Sequence, residues 1–348
     1  MPSNIQNYSL NAGRINIVKG ETLRHAIPVE VLALGFSMKQ IPKNSGDNVI
    51  YRRWLPYGGA TTNANTINRW SVTAQAHIVS EGVAPAADTI TPQDVSATLQ
   101  QYAAVYAWTD KTAEMYEDDI PQEAKVQLGQ RMALVREMIR YGAAKGCTNA
   151  SYSGGTTRAT VDAVVTLNFL RKIAQTLLAN HADMKTTVLS ASSSYDTSAV
   201  EAGFIVMCHT DLEPDIRDIA GFVPVAKYAS RKPINEYELG TVERFRFITS
   251  PELAAYADSG AAVAGTTLYA TSNSNADVYP MLVFAEDAAF DIALRGSKSF
   301  DLTVIPHTQK DKSDILGQRG YAAAKFWSAA LVVNNGWMAV GEVARTSL

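Results

Sequence analysis

The chain has 348 residues, with 31 Lys and Arg against 34 Asp and Glu, a formal net charge of −3 and a pI near 6.0. That balance leaves no basic footprint and argues against sequence-specific DNA binding, which needs clustered cations to neutralise phosphates. The length passes the roughly 250–300 residues at which single cores divide, so two or more subdomains are expected, and a charged fraction of 19% is consistent with much surface ending in contacts between subunits.

Residues 1 to about 20 are polar and aperiodic, which predicts an arm that orders only against a neighbour. No basic start leads into a long apolar run, and nowhere do 18 apolar residues run together. No signal peptide, membrane span or membrane partner is therefore expected. Cys147 and Cys208 stand far apart in apolar settings and read as buried free thiols of a reducing compartment.

Val49 to Leu55 is a strand closed by Pro56 and Gly58-Gly59. From Arg69 to Ile78 apolar and polar residues alternate, with Trp70, Val72, Ala74, Ala76 and Ile78 on one side, which predicts a half-exposed strand. A further strand from Val95 to Trp108 carries Tyr102, Tyr106 and Trp108 on one face, a stripe that reads as core or interface. So long an extended excursion is too thin to bury its own core, and either lies on the parent domain or reaches another subunit.

Asp118 to Cys147 is the longest helix. Asp118 and Asp119 offer caps, Pro121 and Glu123 suit a first turn, and Leu128, Met132, Val135 and Ile139 form one apolar stripe. Arg131, Arg136, Glu137 and Arg140 lie off that stripe. At 1.5 Å per residue the rod is about 40 Å long. A second amphipathic helix is predicted from about Thr166 to Ala179, with Asn180 as a left-handed cap. Beyond Thr187 short strands and turns take over: Phe204 to Cys208, a short helix from Asp211 to Ile219, then Phe245 to Thr249, Met281 to Ala285, Phe290 to Leu294 and Leu302 to Ile305. Tyr321 to Val333 and Trp337 to Val343 flank Asn334-Asn335-Gly336, which reads as a hairpin turn. The class is α+β.

Chemistry is sparse. His25, His77, His181, His209 and His307 fall in no paired-histidine spacing. His209, Asp211, Glu213 and Asp215 have ligand-like spacing but follow a buried strand and open a helix, where carboxylates cap free N–H groups. Gly296-Ser-Lys-Ser lacks phosphate-loop spacing, and there is no GxSxG. No catalytic, cofactor-binding or metal residue is assigned, which favours a structural protein.

The order of an arm, an extended hairpin, a long helix and a mixed domain resembles the major capsid protein of tailed bacteriophages, the Hong Kong 97-type shell fold. Short phrases resemble its branch named after the coliphage N-four. They are Arg52-Arg53-Trp54, Ser80-Glu81-Gly82-Val83-Ala84-Pro85, Leu99-Gln100-Gln101-Tyr102, Leu170-Arg171-Lys172 with Leu178-Ala179-Asn180, Ala226-Lys227-Tyr228, and Gly317-Gln318-Arg319 before Trp337-Met338. The resemblance implies an N-terminal arm over 1–45 and an extended loop over 46–109. A peripheral domain over 110–185 would carry a spine helix at about 119–147, and an axial domain over 186–348 would send its terminal strands back to the peripheral sheet. It implies homo-hexamers and pentamers closing an icosahedral shell, assembled in a host cytoplasm and kept in the virion. Portal, scaffolding or decoration proteins are the implied further partners, with packaged double-stranded DNA held without sequence specificity. Two alternatives stand beside it: a cellular compartment shell of the same fold enclosing cargo enzyme, and a cytosolic enzyme.

Overall fold

The computed structural model describes residues 27–58, 67–85, 87–116, 119–186, 202–228, 233–272, 274–295, 300–310 and 314–348. In chain order the strands are β1 (Phe36–Ile41), β2 (Asn48–Trp54), β3 (Pro92–Thr98), β4 (Gln100–Thr109), β5 (Ala150–Tyr152), β6 (Phe204–His209), β7 (Val223–Pro224), β8 (Glu238–Val242), β9 (Phe245–Ser250), β10 (Tyr279–Phe284), β11 (Ala289–Leu294), β12 (Asp301–Ile305), β13 (Arg319–Val332) and β14 (Met338–Val343). The helices are α1 (Asp110–Met115), α2 (Ile120–Lys145), α3 (Leu167–Ala179) and α4 (Glu213–Arg217).

Two sheets and one ribbon form. The five-stranded sheet is built on β13, whose Tyr321–Lys325 segment pairs with β12 on one edge and β4 on the other. Its last residues, from Ala329 to Val332, pair with β11, which takes β1 in parallel. The seven-stranded sheet has the order β5-β14-β10-β6-β9-β8-β7. Among the described residues β2 and β3 pair only with each other, from Asn48 opposite Thr98 to Trp54 opposite Pro92.

The seven-stranded sheet is covered on both faces, so its central strands are continuously apolar instead of alternating. Phe204, Val206 and Cys208 of β6 face α3 through Phe169, Leu170, Ile173 and Leu177. Ile205 and Met207 point the other way, toward Val31, Leu32, Tyr141, Ala144 and Cys147. The N-terminal half of α2 lies instead on the five-stranded sheet, where Leu128 and Met132 are buried against Trp108, Ala322, Ala324 and Phe326. Val135 and Ile139 continue that contact. α2 thus starts on one sheet and ends on the other. Its length, about 39 Å for 26 residues, is set by that span.

The cap at Asp119 holds, its Oδ1 accepting from Gln122 N at 3.1 Å, while Asp118 lies outside the described residues. The strand expected over Arg69–Ile78 does not form. The segment is turn and coil with one 3-10 turn, Ala74–His77, and lacks a pairing strand among the described residues. Val95 to Trp108 breaks at Leu99 into β3 and β4, which belong to different sheets. Asn180 closes α3 at φ −92, and the left-handed residue is the next one, His181, at φ 54. The hairpin expected at Asn334-Asn335-Gly336 is likewise not one: β13 and β14 run into different sheets, and the turn is the corner between them. α3 packs on the seven-stranded sheet, and β1, although within the first 45 residues, is a strand of the five-stranded one.

Candidate assembly surfaces

Rigidity centres on three charged side chains. Glu137 is fully buried, and its Oε1 accepts from Val31 N at 2.8 Å and Leu32 N at 2.7 Å. One turn on, Arg140 donates Nε and Nη2 to Asp291 Oδ2 at 3.0 and 2.6 Å, and its Nη1 lies 3.5 Å from Glu137 Oε2. Ser328 Oγ reaches Asp291 Oδ1 at 3.4 Å. Four separate segments meet there: the entry to β1, helix α2, β11 and β13. Burial pushes the Glu137 carboxyl above the usual carboxylate range, against the pull of the two backbone N–H groups and Arg140. In the sequence Glu137 and Arg140 lie off the apolar stripe, and the structure buries both. The entry segment and β11 cover a second face of the helix that the Leu128–Ile139 stripe does not reveal.

The opposite character appears in the excursion between β2 and β3. On the inner face of the ribbon Val49, Tyr51 and Ala97 pack on Phe290, Trp327 and Leu331, with the Tyr51 and Phe290 rings edge-on at 5.2 Å. On the outer face Arg52 and Asp94, directly opposite in register, form a two-pronged pair at 2.7 and 2.8 Å. Arg52 holds the Asp94 carboxyl below its usual range. Around that pair the surface is apolar. Ile50, Trp54, Trp70, Val72, Ile78, Val79, Val83 and Ile90 are each between 57% and 75% exposed. From Leu55 to Gln93 the only Asp, Glu, Lys or Arg residues are Arg69, Glu81 and Asp88. Large side chains left in water beside so few charges make this excursion a candidate contact surface.

A smaller surface of the same kind sits on the β12–β13 hairpin. Leu302, Val304 and Ile305 on β12 and Ile315 and Leu316 in the connection are exposed, the last two at 76% and 73%. β12 pairs with β13 alone among the described residues, which leaves its outer edge open.

The residues with chemical potential do not converge. His209 Nδ1 accepts from Asp211 N at 3.0 Å, which is the capping role, and Asp211 Oδ2 accepts from Tyr279 Oη at 2.9 Å. Asp215 is taken by Thr346 N and Oγ1, and Glu213 pairs with Arg217 one turn on. Cys147 and Cys208 are buried and unpaired, and burial pushes each thiol up to about 12. The Tyr102, Tyr106 and Trp108 stripe lies under α2, with Tyr102 stacked on Phe326 at 5.6 Å.

No protein-family model matches the chain. Among solved structures, the cyanophage Pam1 capsid asymmetric unit matches with a TM-score of 0.64 at 10% identity, over 98% of this chain and 99% of that one. The capsid of Ralstonia phage GP4 matches with a TM-score of 0.64 at 11% identity, over 97% and 96%. The chain has the Hong Kong 97-type capsid fold. A curated relative, the major capsid protein of Pseudomonas phage KPP21, is 23% identical over 215 residues, which are 58% of this chain and 52% of that protein. The chain thus spans about half the length of the curated relative it matches. Kinship with the N-four branch rests on the short phrases quoted above and on nothing in these likenesses.

Proposed function

We propose that the chain is the major capsid protein of a tailed bacteriophage, a structural subunit that assembles with its own copies into an icosahedral shell. The observation that carries this reading is the end-to-end coincidence with capsid subunits, from the first described strand to the last. The solvent-facing apolar excursion agrees with it, because in a free globular protein that surface has no purpose.

On this reading residues 1–45 are the arm, 46–109 the extended loop, 110–185 the peripheral part with α2 as spine, and 186–348 the axial part, with β13 returning under the spine. The loop lies over a neighbouring subunit in a ring of five or six. Each contact is small, but contacts within a ring close by rotation, and closure raises the effective concentration of every remaining one. The formal charge of −3 suits an inner wall that confines double-stranded DNA without gripping it. Portal, scaffolding and decoration proteins complete the set of proposed partners, with assembly in the host cytoplasm and residence in the virion.

The test is purification followed by sedimentation and negative-stain microscopy. Closed particles support the reading, and a small discrete oligomer at all concentrations overturns it. Cargo protein in place of DNA in particles from infected cells would assign a compartment shell instead.

A further inference from the structure

Within the exposed excursion one dipeptide behaves differently from its surroundings. Ile67 is 2% exposed, whereas every described residue from Trp70 to Pro85 is exposed. Ile67 and Asn68 sit in a cradle made by the end of α3 and the β13–β14 corner. Asn68 N donates to Asn180 Oδ1 at 3.4 Å and its Nδ2 to Asn334 Oδ1 at 3.1 Å. Gly336 leaves room for the pair, since a Cβ there would stand 2.7 Å from Ile67 Cγ2 and 2.8 Å from Asn68 Nδ2.

The cradle does not depend on its occupant. Asn180 Nδ2 donates to Thr176 O at 2.9 Å, and Trp337 Nε1 donates to Asn180 O at 3.0 Å. Asn334 Oδ1 accepts from Gly336 N at 3.0 Å, and Asn334 N donates to Ala288 O at 3.2 Å. It is a preformed receptor for an isoleucine–asparagine plug, its two asparagines held by bonds to the chain's own framework that do not involve the plug.

Resting on the capsid reading, we infer that this cradle is an exchange site, filled by the subunit's own Ile67-Asn68 when free and by those of a neighbouring copy in the shell. The contact is chemically identical in both states, so moving the excursion to a neighbour loses nothing at the cradle. It gains cover for the apolar side chains that the free subunit leaves in water. Exchange of one element between copies is a low-barrier route to association for this reason. The free form meanwhile keeps the excursion folded back, which separates subunits until a neighbour's cradle is offered at high effective concentration.

Two variants break the contact from opposite sides. Ile67→Ala removes the plug. Gly336→Ala fits the backbone, whose φ there is not left-handed, but fills the space the plug needs. In dilute subunits each variant should speed tryptic cleavage after Arg69 roughly tenfold or more, the scale expected for losing one buried aliphatic side chain. Because the contact is the same in the free and the assembled subunit, each variant alone should assemble at about the concentration that wild type needs, by sedimentation. An equimolar mixture should assemble at a concentration about threefold lower than either variant, because Ile67 of Gly336→Ala subunits enters the intact cradle of Ile67→Ala subunits, a contact neither free variant makes and one that half of the neighbour pairs can form. Unchanged tryptic rates overturn the closed free form. A mixture no better than either variant overturns the exchange. Absence of particles from wild type itself overturns the capsid reading and is seen separately in the same experiment.

Discussion

Removing Asp291 tests whether α2 is braced to β11, β13 and the entry to β1 as the structure has it. In Asp291→Ala the Arg140 guanidinium stays where it is, 5% exposed, and loses both of its hydrogen bonds to the carboxylate. Glu137 Oε2 at 3.5 Å is its remaining charged neighbour in that network and is already committed, through Oε1, to Val31 N and Leu32 N. Breaking one side of a buried pair leaves an uncompensated charge and costs about 3–5 kcal/mol. That is a large part of the 5–15 kcal/mol typical of a folded domain. The assay is urea unfolding of subunits kept below the assembly concentration, followed by tryptophan fluorescence, with Arg140→Met and the double variant completing a mutant cycle. The double variant should recover part of the loss, since an apolar replacement of the pair removes the orphaned charge. Arg171→Ala, which breaks a solvent-exposed pair with Glu243, is the control and should leave the midpoint unmoved. If Asp291→Ala behaves like that control, or if the cycle is additive, Arg140 is solvated in solution and the brace is wrong.

Three further outcomes follow from the same structure. Val135→Asp sets an unpaired charge against the Trp108–Phe326 core and should lower the melting temperature of the subunit, by an effect of about 2 kcal/mol or more; an unchanged melt contradicts the docking of α2. Deleting residues 60–80 should leave a soluble, folded subunit that closes no shells, and normal particles in the microscope refute the role given to the excursion. Burial raises the Cys147 and Cys208 thiols from 9.0 to about 12 and raises the Tyr141, Tyr228 and Tyr279 phenols as well. Since the folded values lie above the unfolded ones, the stability these groups contribute is complete below about pH 9 and is lost as pH climbs toward 12. Alkaline titration by circular dichroism should therefore show unfolding across that window, with thiol reagent uptake rising in parallel. Thiols that react fully in folded protein at pH 8 sink this reasoning.

What the sequence discloses depends on whether a signal is local. The α2 stripe from Leu128 to Ile139 is local, and so is the Asp119 cap; both are found in place. The strands of the seven-stranded sheet are also legible, because runs such as Phe204 to Cys208 are apolar throughout. Signals that depend on what packs from elsewhere are misread. Glu137 and Arg140 lie off the stripe, and nothing nearby in the sequence shows that the entry segment and Asp291 are brought to them from more than 100 residues away. The alternation from Arg69 to Ile78 is real in the sequence, yet a strand needs a partner, and β2 and β3 already use each other. The Asn334-Asn335-Gly336 turn is correctly a turn, but β13 finds β4, β11 and β12, and β14 finds β10 and β5, so no hairpin results. For Ile67 and Asn68 no local signal exists; their cradle comes from residues 112 and 266 positions away.

On the capsid reading this chain builds a closed shell from copies of itself. Negative-stain microscopy of the purified, concentrated protein tests it most directly. Closed isometric particles whose walls resolve into rings of five and six subunits are the expected result. A population of monomers or small discrete oligomers at every concentration, with the subunit folded and the excursion intact, contradicts it.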